Sequence, residues 1–297
     1  MIHARSIVKN YNGFTALDDV SFDLEDSGIF GIVGHNGAGK TTLLKIMSGL
    51  LTPTSGELLI DGIDAVKHPD ALKSRLGYLP EESRLYENMT VGGYLSFFGE
   101  IYRMSPEEIR KRSRDILHKL DLDAGDKKLG ELSKGMKRKV AIARSLIHDP
   151  SFLVYDEPTS GLDPMTSRYI SQFLRSIKKE GEKTILLSAH NLYQVEELCD
   201  KVLILQRGKR LMFGSMDELR EKFGSVTYEI EFVVSDRSVL RGVLDNYEES
   251  GGVISAKVED VDSLNDLTAI IASEGGRVKR IESHYPSLEE MLMQIGR

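Results

Sequence analysis

A glycine-rich loop with one lysine and two threonines is the segment of this sequence best suited to chemistry. Residues 34–42 read GHNGAGKTT, which matches the phosphate-binding pattern G-x-x-x-x-G-K-[ST]. Glycines let successive backbone N–H groups surround phosphate oxygens, Lys40 is spaced to meet the β- and γ-phosphates, and the Thr41 hydroxyl is placed to ligate Mg²⁺. The loop therefore predicts a site for a nucleoside triphosphate.

The flanking sequence favours this interpretation over an ordinary glycine-rich turn. The apolar run 28–33 suits a buried strand, and residues 41–47 space their apolar side chains as a helix does. A helix N-terminus adds a dipole that favours bound anions. His35 and Asn36 are interpreted as spacers. The loop residues expected at the nucleotide are Gly34, Asn36, Gly37, Ala38, Gly39, Lys40, Thr41 and Thr42.

Two adjacent carboxylates follow a second strand signal. Residues 152–155 are apolar, and Asp156 and Glu157 come directly after them. Ligand sites in parallel sheets form at the carboxyl ends of strands. Asp156 is therefore expected to hold Mg²⁺, and Glu157 to orient or deprotonate the water that attacks the γ-phosphate. The alternative is a pair of acids that only cap a strand before Pro158.

The elements that must position these residues alternate along the first part of the chain. Strand signals dominate about the first 60 residues, and helical spacing dominates 82–148, with helices expected at 92–104, 106–120 and 134–148. Strands and helices are then expected in turn at 152–155, 165–180, 184–188, 191–199 and 202–205. This alternation favours an α/β fold with a parallel sheet.

Length and a change of pattern indicate two domains. The chain has 297 residues, which is long for one core. An alternating strand begins at Val226, so a first domain is expected at 1–224 and a small α/β domain at 225–297. The elements expected in the small domain are a strand at 226–234, a helix through Val239, Leu240, Val243, Leu244 and Tyr247, a strand at 253–258, a helix at 264–271, a strand at 277–283 and a helix from Ser287.

Charge and cysteine content limit the classes of partner. The 39 basic and 46 acidic residues give a net charge of −7; residues 225–297 hold 7 and 14 of them, which leaves 32 of each before. Neither part has an excess of basic residues, so no nucleic acid partner is expected. The single cysteine, Cys199, excludes an internal disulfide, and its apolar neighbours predict a buried thiol.

No membrane span or leader is expected. The sequence has no stretch that approaches the ~18 consecutive apolar residues of a transmembrane helix. The start, MIHAR, lacks the apolar region of a signal peptide. These features predict a soluble, cytoplasmic chain.

Three further short motifs complete a pattern in a definite order. They are Leu132-Ser133-Lys134-Gly135-Met136, Ser160-Gly161-Leu162-Asp163 and Ser188-Ala189-His190. With the loop and the two carboxylates, they make residues 1 to about 220 resemble the ATP-binding subunit of an ABC transporter. The resemblance implies a P-loop NTPase cassette with a helical subdomain at about 82–148. The three motifs correspond to the family's signature sequence, its D-loop and its switch histidine.

The resemblance implies a head-to-tail dimer that encloses two ATP molecules. Lys40, Thr41, Asp156, Glu157 and His190 would come from one subunit. Ser133 and Gly135 of the other subunit would meet the γ-phosphate, since a hydroxyl and helix N-terminal amides suit an anion. Asp163 belongs to the implied nucleotide set through the D-loop.

An aromatic residue before the loop corresponds to the family's adenine-stacking residue. Tyr11 stands at this place, and stacking on adenine suits its π face. A strand tyrosine that packs on the β-rich entry is the alternative reading. Phe14 is the next candidate for the stacking role.

Three positions depart from the commonest form of the family. Glu81 stands where a glutamine usually ligates Mg²⁺, and Lys134 and Met136 replace a glycine and a glutamine in the signature. A carboxylate oxygen also ligates Mg²⁺, so Glu81 joins Thr41 and Asp156 as an expected metal ligand. These variants resemble the subunits of drug- and sodium-efflux exporters that have a separate permease chain.

The function expected from these features is that of an ATPase motor subunit at the cytoplasmic face of the cell membrane. Its partners would be a second ATP-binding subunit, identical or different, and an integral membrane permease, with export preferred by analogy. Leu85, Tyr86, Met89 and Val91 are candidates for a groove that takes a permease helix. The alternative function is a soluble ABC ATPase that acts on ribosomes, DNA repair or cell-wall machinery.

Overall fold

The structure is a computed structural model that describes residues 1–24, 27–180, 183–223, 226–240, 244 and 246–295. The chain divides into two compact units, Met1–Met216 and Asp217–Arg297. The boundary expected at 224 and 225 falls on residues outside those described. The structural division precedes the expected boundary by eight residues, so residues 217–224 are counted with the second unit.

The strands of the described residues form three sheets. In the described part of the chain they are β1 (Ile2–Tyr11), β2 (Phe14–Leu24), β3 (Gly28–Val33), β4 (Ser55–Ile60), β5 (Ile63–Asp64), β6 (Leu76–Leu79), β7 (Phe152–Asp156), β8 (Thr184–Ser188), β9 (Lys201–Gln206), β10 (Lys209–Ser215), β11 (Thr227–Val233), β12 (Tyr247–Ser250), β13 (Val253–Val258) and β14 (Arg277–His284).

Helices connect these strands and cover their faces. In the described part of the chain the α-helices are α1 (Lys40–Met47), α2 (Pro69–Lys73), α3 (Val91–Ile101), α4 (Pro106–Lys119), α5 (Lys134–Leu146), α6 (Pro164–Glu180), α7 (Leu192–Leu198), α8 (Met216–Phe223), α9 (Val261–Ser273) and α10 (Leu288–Ile295). Short 3-10 helices occur at Leu129–Glu131 and Arg237–Leu240.

The first unit contains two sheets. An antiparallel sheet has the order β2-β1-β4-β5, and a six-stranded sheet has the order β10-β9-β3-β8-β7-β6. In the second sheet β9, β3, β8, β7 and β6 are parallel to their neighbours, and β10 is antiparallel to β9. The expected α/β fold with a parallel core is confirmed. Both sheets and α1 contribute side chains to one apolar core.

The central parallel strands are continuous apolar runs because both their faces are covered. Every residue of β3, β7 and β8 is buried. The register aligns Ile32 and Asp156 with Ser188, so the carboxyl ends of the three strands meet at one edge of the sheet. The residues that follow β3 and β7 are the glycine-rich loop and the adjacent carboxylates. Sheet register therefore brings these two segments together.

Local capping explains where the helices at 91–146 begin. Ser105 and Glu108 form a capping box at the start of α4, where Pro106 takes the first helical position. Thr90 caps α3 and Ser133 caps α5, each by accepting a hydrogen bond from a backbone N–H three residues later. Helix α3 ends before the expected residue 104, because Arg103 adopts a left-handed conformation.

The second unit contains an antiparallel sheet with the order β12-β13-β11-β14. Helix α9 contacts β11 and β14, and its Leu267 and Ile271 join Ile230 and Phe232 in a separate apolar core. The strand predicted at 253–258 matches β13, and the strands predicted near 226–234 and 277–283 match β11 and β14 within a residue or two.

The prediction of one helix from Val239 to Tyr247 is wrong for the described residues of that range. A 3-10 helix ends at Leu240, and Tyr247 begins strand β12; Val243 lies outside the described residues. The spacing of these apolar residues fits a helix, but the turn that follows decides the outcome. Gly251 and Gly252 both have positive φ and close a two-residue hairpin, which pairs β12 with β13.

Candidate active site

The glycine-rich loop lies between β3 and α1 and is held against the neighbouring strands. A Cβ on Gly34 would lie 2.3 Å from the Leu205 carbonyl oxygen, and one on Gly39 would lie 2.7 Å from that of Ala16. Gly39 also has φ +104°, a conformation that other residues rarely adopt. The Gly208 N–H donates to the Ala38 carbonyl oxygen at 3.0 Å. The path of the loop therefore requires glycine at its first and last turns.

Lys40 folds back over this loop. Its Nζ donates to the carbonyl oxygens of Gly34 at 2.7 Å and His35 at 3.3 Å, and only 8% of the residue is exposed. Burial lowers the pKa of Lys40, and the charges of Glu157, Asp156 and Glu81 oppose this shift. The ammonium group therefore lies within electrostatic range of all three carboxylates. Thr41 is exposed and Thr42 half-buried at the start of α1.

Ser188 joins the two carboxylates at the ends of β7 and β8. Its Oγ donates to Asp156 Oδ1 at 2.5 Å and accepts from the Glu157 N–H at 3.1 Å. Ser188 is fully buried and Asp156 is 3% exposed. The serine thus fixes the direction of the Asp156 carboxylate. From the sequence, Ser188 was assigned only to the switch motif. Its role as a partner of Asp156 depends on the pairing of β7 with β8, which the sequence does not show.

Glu157 is buried and paired with His190. The Glu157 Oε1 to His190 Nε2 distance is 2.6 Å; Glu157 is 6% exposed, whereas the His190 side chain is 54% exposed. Burial raises the pKa of Glu157; His190 lowers it and the Glu81 charge raises it. Glu157 also has φ +51°, which is unusual for a residue with a side chain. The backbone is therefore in an unfavourable conformation at the residue that contacts His190.

The oxygen donors near Asp156 fit a hard divalent cation. Mg²⁺ prefers carboxylate, hydroxyl and phosphate oxygens, and the expected ligands Thr41, Asp156 and Glu81 offer hydroxyl and carboxylate oxygens. Glu81 follows β6, which is the parallel neighbour of β7 in the sheet. It acts on the pKa of both Lys40 and Glu157, so the structure brings it to the same edge.

Arg138 of helix α5 connects the segments that follow β6 and β7 by hydrogen bonds, a role that the sequence did not predict. The residue is 7% exposed, and its guanidinium group donates to backbone carbonyl oxygens on either side of the site. The acceptors and distances are Pro80 at 2.7 Å, Glu81 at 3.0 Å, Asp156 at 3.0 Å, Glu157 at 2.6 Å and Pro158 at 2.8 Å. Burial lowers the pKa of Arg138 to about 10. In the sequence, Arg138 is one of several basic residues on a helix, which gives no sign of this role.

Tyr11 and Phe14 lie opposite each other in the hairpin of β1 and β2. Their exposed fractions are 43% and 61%, so neither packs into the core. Lys9 Nζ lies 5.1 Å from the centre of the Tyr11 ring. The same hairpin approaches the loop, since Ala16 of β2 contacts Gly39. Both aromatic side chains are therefore exposed beside the loop, and the Lys9 ammonium lies over the Tyr11 ring.

Ser133 and Gly135 lie at the start of α5, where they contact Met136 and Thr166. The Ser133 Oγ accepts from the Met136 N–H at 3.3 Å, and a Cβ on Gly135 would lie 3.1 Å from Thr166 of α6. Asp163 Oδ1 accepts from the Thr166 N–H at 2.9 Å, and backbone hydrogen bonding lowers its pKa. Lys134 is exposed and its Nζ lies against Gly161.

Comparison with protein families matches both units. Residues 17–160 match the family model described as ABC transporter, and residues 214–295 match the ATP-binding protein DrrA1-3-like C-terminal domain. The ABC transporter ATP-binding protein NatA of Bacillus subtilis is 41% identical over 69% of this chain and 84% of its own length. The chain belongs to the ATP-binding proteins of ABC transporters.

Other members of the family differ in the transport that their names state. The Nod factor export ATP-binding protein I of Ralstonia nicotianae is 33% identical over 99% of this chain and 93% of its own. The methionine import ATP-binding protein MetN of Corynebacterium efficiens is 39% identical over 92% of this chain and 78% of its own. Both matches cover the first unit and continue into the second unit.

One solved structure that resembles this chain contains the products of ATP hydrolysis. The dimeric post-hydrolysis state of an ATP-binding cassette bound to ADP and Pi superposes with a TM-score of 0.67 at 28% identity, over 73% of this chain and 99% of that one. This cassette is accordingly an ATPase of the ABC family. None of the helices in the described residues combines the length and apolar character that a membrane crossing requires.

Proposed function

We propose that this cassette is the motor subunit of an ABC exporter and that Mg²⁺-dependent ATP hydrolysis at the edge of β3, β7 and β8 drives a separate membrane permease. The observation that carries the proposal is the buried Glu157 paired with His190, beside the Asp156 that Ser188 orients. A buried carboxylate with a raised pKa, next to a phosphate-binding loop, suits a base that acts on water.

In this proposal each residue of the site has one task. Lys40 leaves its loop carbonyl oxygens to contact the β- and γ-phosphates, and the loop amides surround the same oxygens. Thr41, Asp156 and Glu81 would hold Mg²⁺, which neutralises phosphate charge when bound. Tyr11 stacks on adenine. Glu157 accepts a proton from the attacking water, and His190 compensates the charge of Glu157 and contacts the γ-phosphate side of the site.

The site is completed by a second subunit. Ser133 and Gly135 lie at the start of α5, where Ser133 is exposed, and they would serve a nucleotide held by another copy. A serine hydroxyl and helix N-terminal amides bind anions well. Asp163, directly before α6, would belong to the same nucleotide site. The solved dimer bound to ADP and Pi supports this arrangement.

An exposed aromatic surface on α3 is the proposed contact with the permease. We define it as Tyr86, which precedes α3, with Phe97 and Phe98 of α3; these rings cluster with that of the buried Tyr94, and neighbouring rings lie 4.9–6.1 Å apart. Tyr86 is 54% and Phe97 is 41% exposed, and exposed apolar patches mark interaction sites. Val91, expected in a groove here, is fully buried. Export is favoured by the Nod factor export relative, which shares nearly the whole chain.

The test captures the tagged Glu157→Gln chain from solubilised native membranes in Mg-ATP, alongside a phosphate-release assay of the unmodified chain. A polytopic membrane protein at near-equal stoichiometry is expected. Phe97→Glu should abolish its recovery and leave basal ATPase activity unchanged. Leu59→Glu is the matched control, because Leu59 is similarly exposed at 39% but lies on β4. Equal recovery with both variants would remove the aromatic surface from the proposal.

The same experiment decides against the alternative function. A soluble ABC ATPase of ribosomes, DNA repair or cell-wall machinery would recover those components and no membrane protein. Localisation follows from the result, since a motor that engages a permease lies at the cytoplasmic face of the membrane.

A further inference from the structure

Strand β14 forms an exposed edge of the sheet in the second unit. It stands at the end of the order β12-β13-β11-β14 and pairs with β11 alone among the described strands. All its residues are exposed except Glu282, which is half-buried. Its two apolar residues, Val278 and Ile281, are 39% and 46% exposed. An edge strand of this length offers a row of backbone donors and acceptors to another chain.

We propose that β14 pairs antiparallel with β14 of a second copy of this chain, in a register centred on Ile281. In such a pair Ile281 faces Ile281, and Arg280 of each copy faces Glu282 of the other. Arg280 lies opposite Glu231 on β11 and Glu282 lies opposite Glu229, so both project from one face of the sheet, and Ile281 projects from the other face with Ile230. The strand is therefore complementary to itself in charge and in apolar contact.

Neighbouring registers lack this complementarity. A register centred on Arg280 places two guanidinium groups opposite each other, and one centred on Glu282 does the same with two carboxylates. A shift of one residue in pairing places Ile281 against a charged side chain. Like charges directly opposite each other are destabilising, and register is set by such patterns. The register centred on Ile281 avoids all three costs.

The charges on β14 explain why this edge pairs selectively. Charged residues on edges usually prevent pairing with arbitrary strands. Here Arg280 already contacts Glu282 of its own strand and lies 3.9 Å from Glu231. A second β14 would place an opposite charge beside both Arg280 and Glu282. An uncharged strand would leave these two charges without partners from the added strand. Pairing through the second unit would hold two cassettes at high effective concentration. This pairing goes beyond the proposed function and does not depend on ATP hydrolysis.

The first test uses single cysteines in the full chain, without nucleotide. The natural Cys199 is buried, so an introduced cysteine is the reactive one. Ile281→Cys places two thiols at residues that face each other, with Cβ atoms about 4.5–5.5 Å apart, so a short bifunctional maleimide should link most chains into dimers. Val278→Cys is the matched control, since the two copies of Val278 would lie roughly 20 Å apart at ~3.3 Å per residue. Equal linking of both variants would overturn the register.

The second test separates pairing between chains from contacts within one chain. Arg280→Glu and Glu282→Arg each place like charges opposite each other and should weaken nucleotide-free dimerisation about tenfold in sedimentation analysis. A mixture of the two variants should recover dimers, because each chain then faces its complement. Each variant still holds like charges within its own strand, so recovery cannot come from internal contacts. Loss of dimers in the mixture, with unchanged unfolding transitions, would overturn the proposal.

Discussion

Strands β7 and β14 show how position in a sheet decides what a charged side chain does. Strand β7 lies between two parallel neighbours and is buried throughout, and the carboxylates at its end have directed partners. Strand β14 lies at an edge with all its residues but one exposed, and its Arg280 and Glu282 pair with each other near solvent. Burial turns Glu157 into a group with a raised pKa, whereas exposed ion pairs add little to stability.

The largest expected difference between the two strands is catalytic. Glu157→Gln should slow ATP turnover by about 100- to 10,000-fold, the usual contribution of a general base, and leave ATP binding intact. Glu282→Gln on β14 makes the same chemical change and should leave turnover unchanged. Steady-state phosphate release and equilibrium nucleotide binding measure the two effects. Near-normal turnover in Glu157→Gln would exclude Glu157 as the base.

The next difference concerns buried and exposed guanidinium groups. Arg138→Lys should lower the free energy of unfolding of the first unit by about 2–4 kcal/mol, because several buried carbonyl oxygens lose a charged donor. Arg237→Lys changes an exposed pair with Glu249 and should have little effect. Urea unfolding of the two variants measures this contrast. Equal midpoints would show that the carbonyl oxygens do not depend on Arg138.

A smaller effect is expected at the serine that joins the carboxylates. Ser188→Ala leaves the buried Glu157 N–H and Asp156 Oδ1 without their common partner, at a cost of about 1–3 kcal/mol. Ser255→Ala removes a half-buried donor to Glu229 in the second unit and should cost less. Thermal unfolding compares the two. A greater loss in Ser255→Ala would contradict the argument from burial.

The smallest expected effect is a shift in the pH profile. The pKa of Glu157 is raised from 4.5, first by burial and then by neighbouring charges that include Glu81. Activity that needs ionised Glu157 should therefore rise with pH through a limb above pH 4.5. Glu81→Gln removes a like charge, lowers the pKa of Glu157 and should move this limb to lower pH; it should also alter the Mg²⁺ dependence. Glu229→Gln should move neither.

The same raised pKa has a consequence for stability. The folded chain binds the Glu157 proton more tightly than the unfolded chain does, so this group favours folding most at low pH. Its contribution declines as pH rises from 4.5 through the folded-state pKa. The Glu157→Gln variant should lose this pH dependence. Chemical unfolding across this range, compared with the unmodified chain, measures the difference.

The sequence by itself determined the local features of the site. The glycine pattern predicts the loop because only glycine allows its backbone path, and Gly34 and Gly39 meet backbone oxygens where a Cβ would stand. Apolar runs predict β3, β7 and β8 because strands covered on both faces contain little else. The motif order was enough to indicate the ABC family, which the comparisons confirm.

Only the tertiary structure decided which groups meet across the sheet. Ser188 orients Asp156 because parallel register aligns β7 with β8, and Arg138 reaches five carbonyl oxygens because α5 packs beside the ends of β6 and β7. Tyr247 forms a strand rather than the predicted helix because a glycine hairpin supplies β13 as its partner. Such contacts join residues far apart in the chain, and periodicity reports only on neighbours within one element.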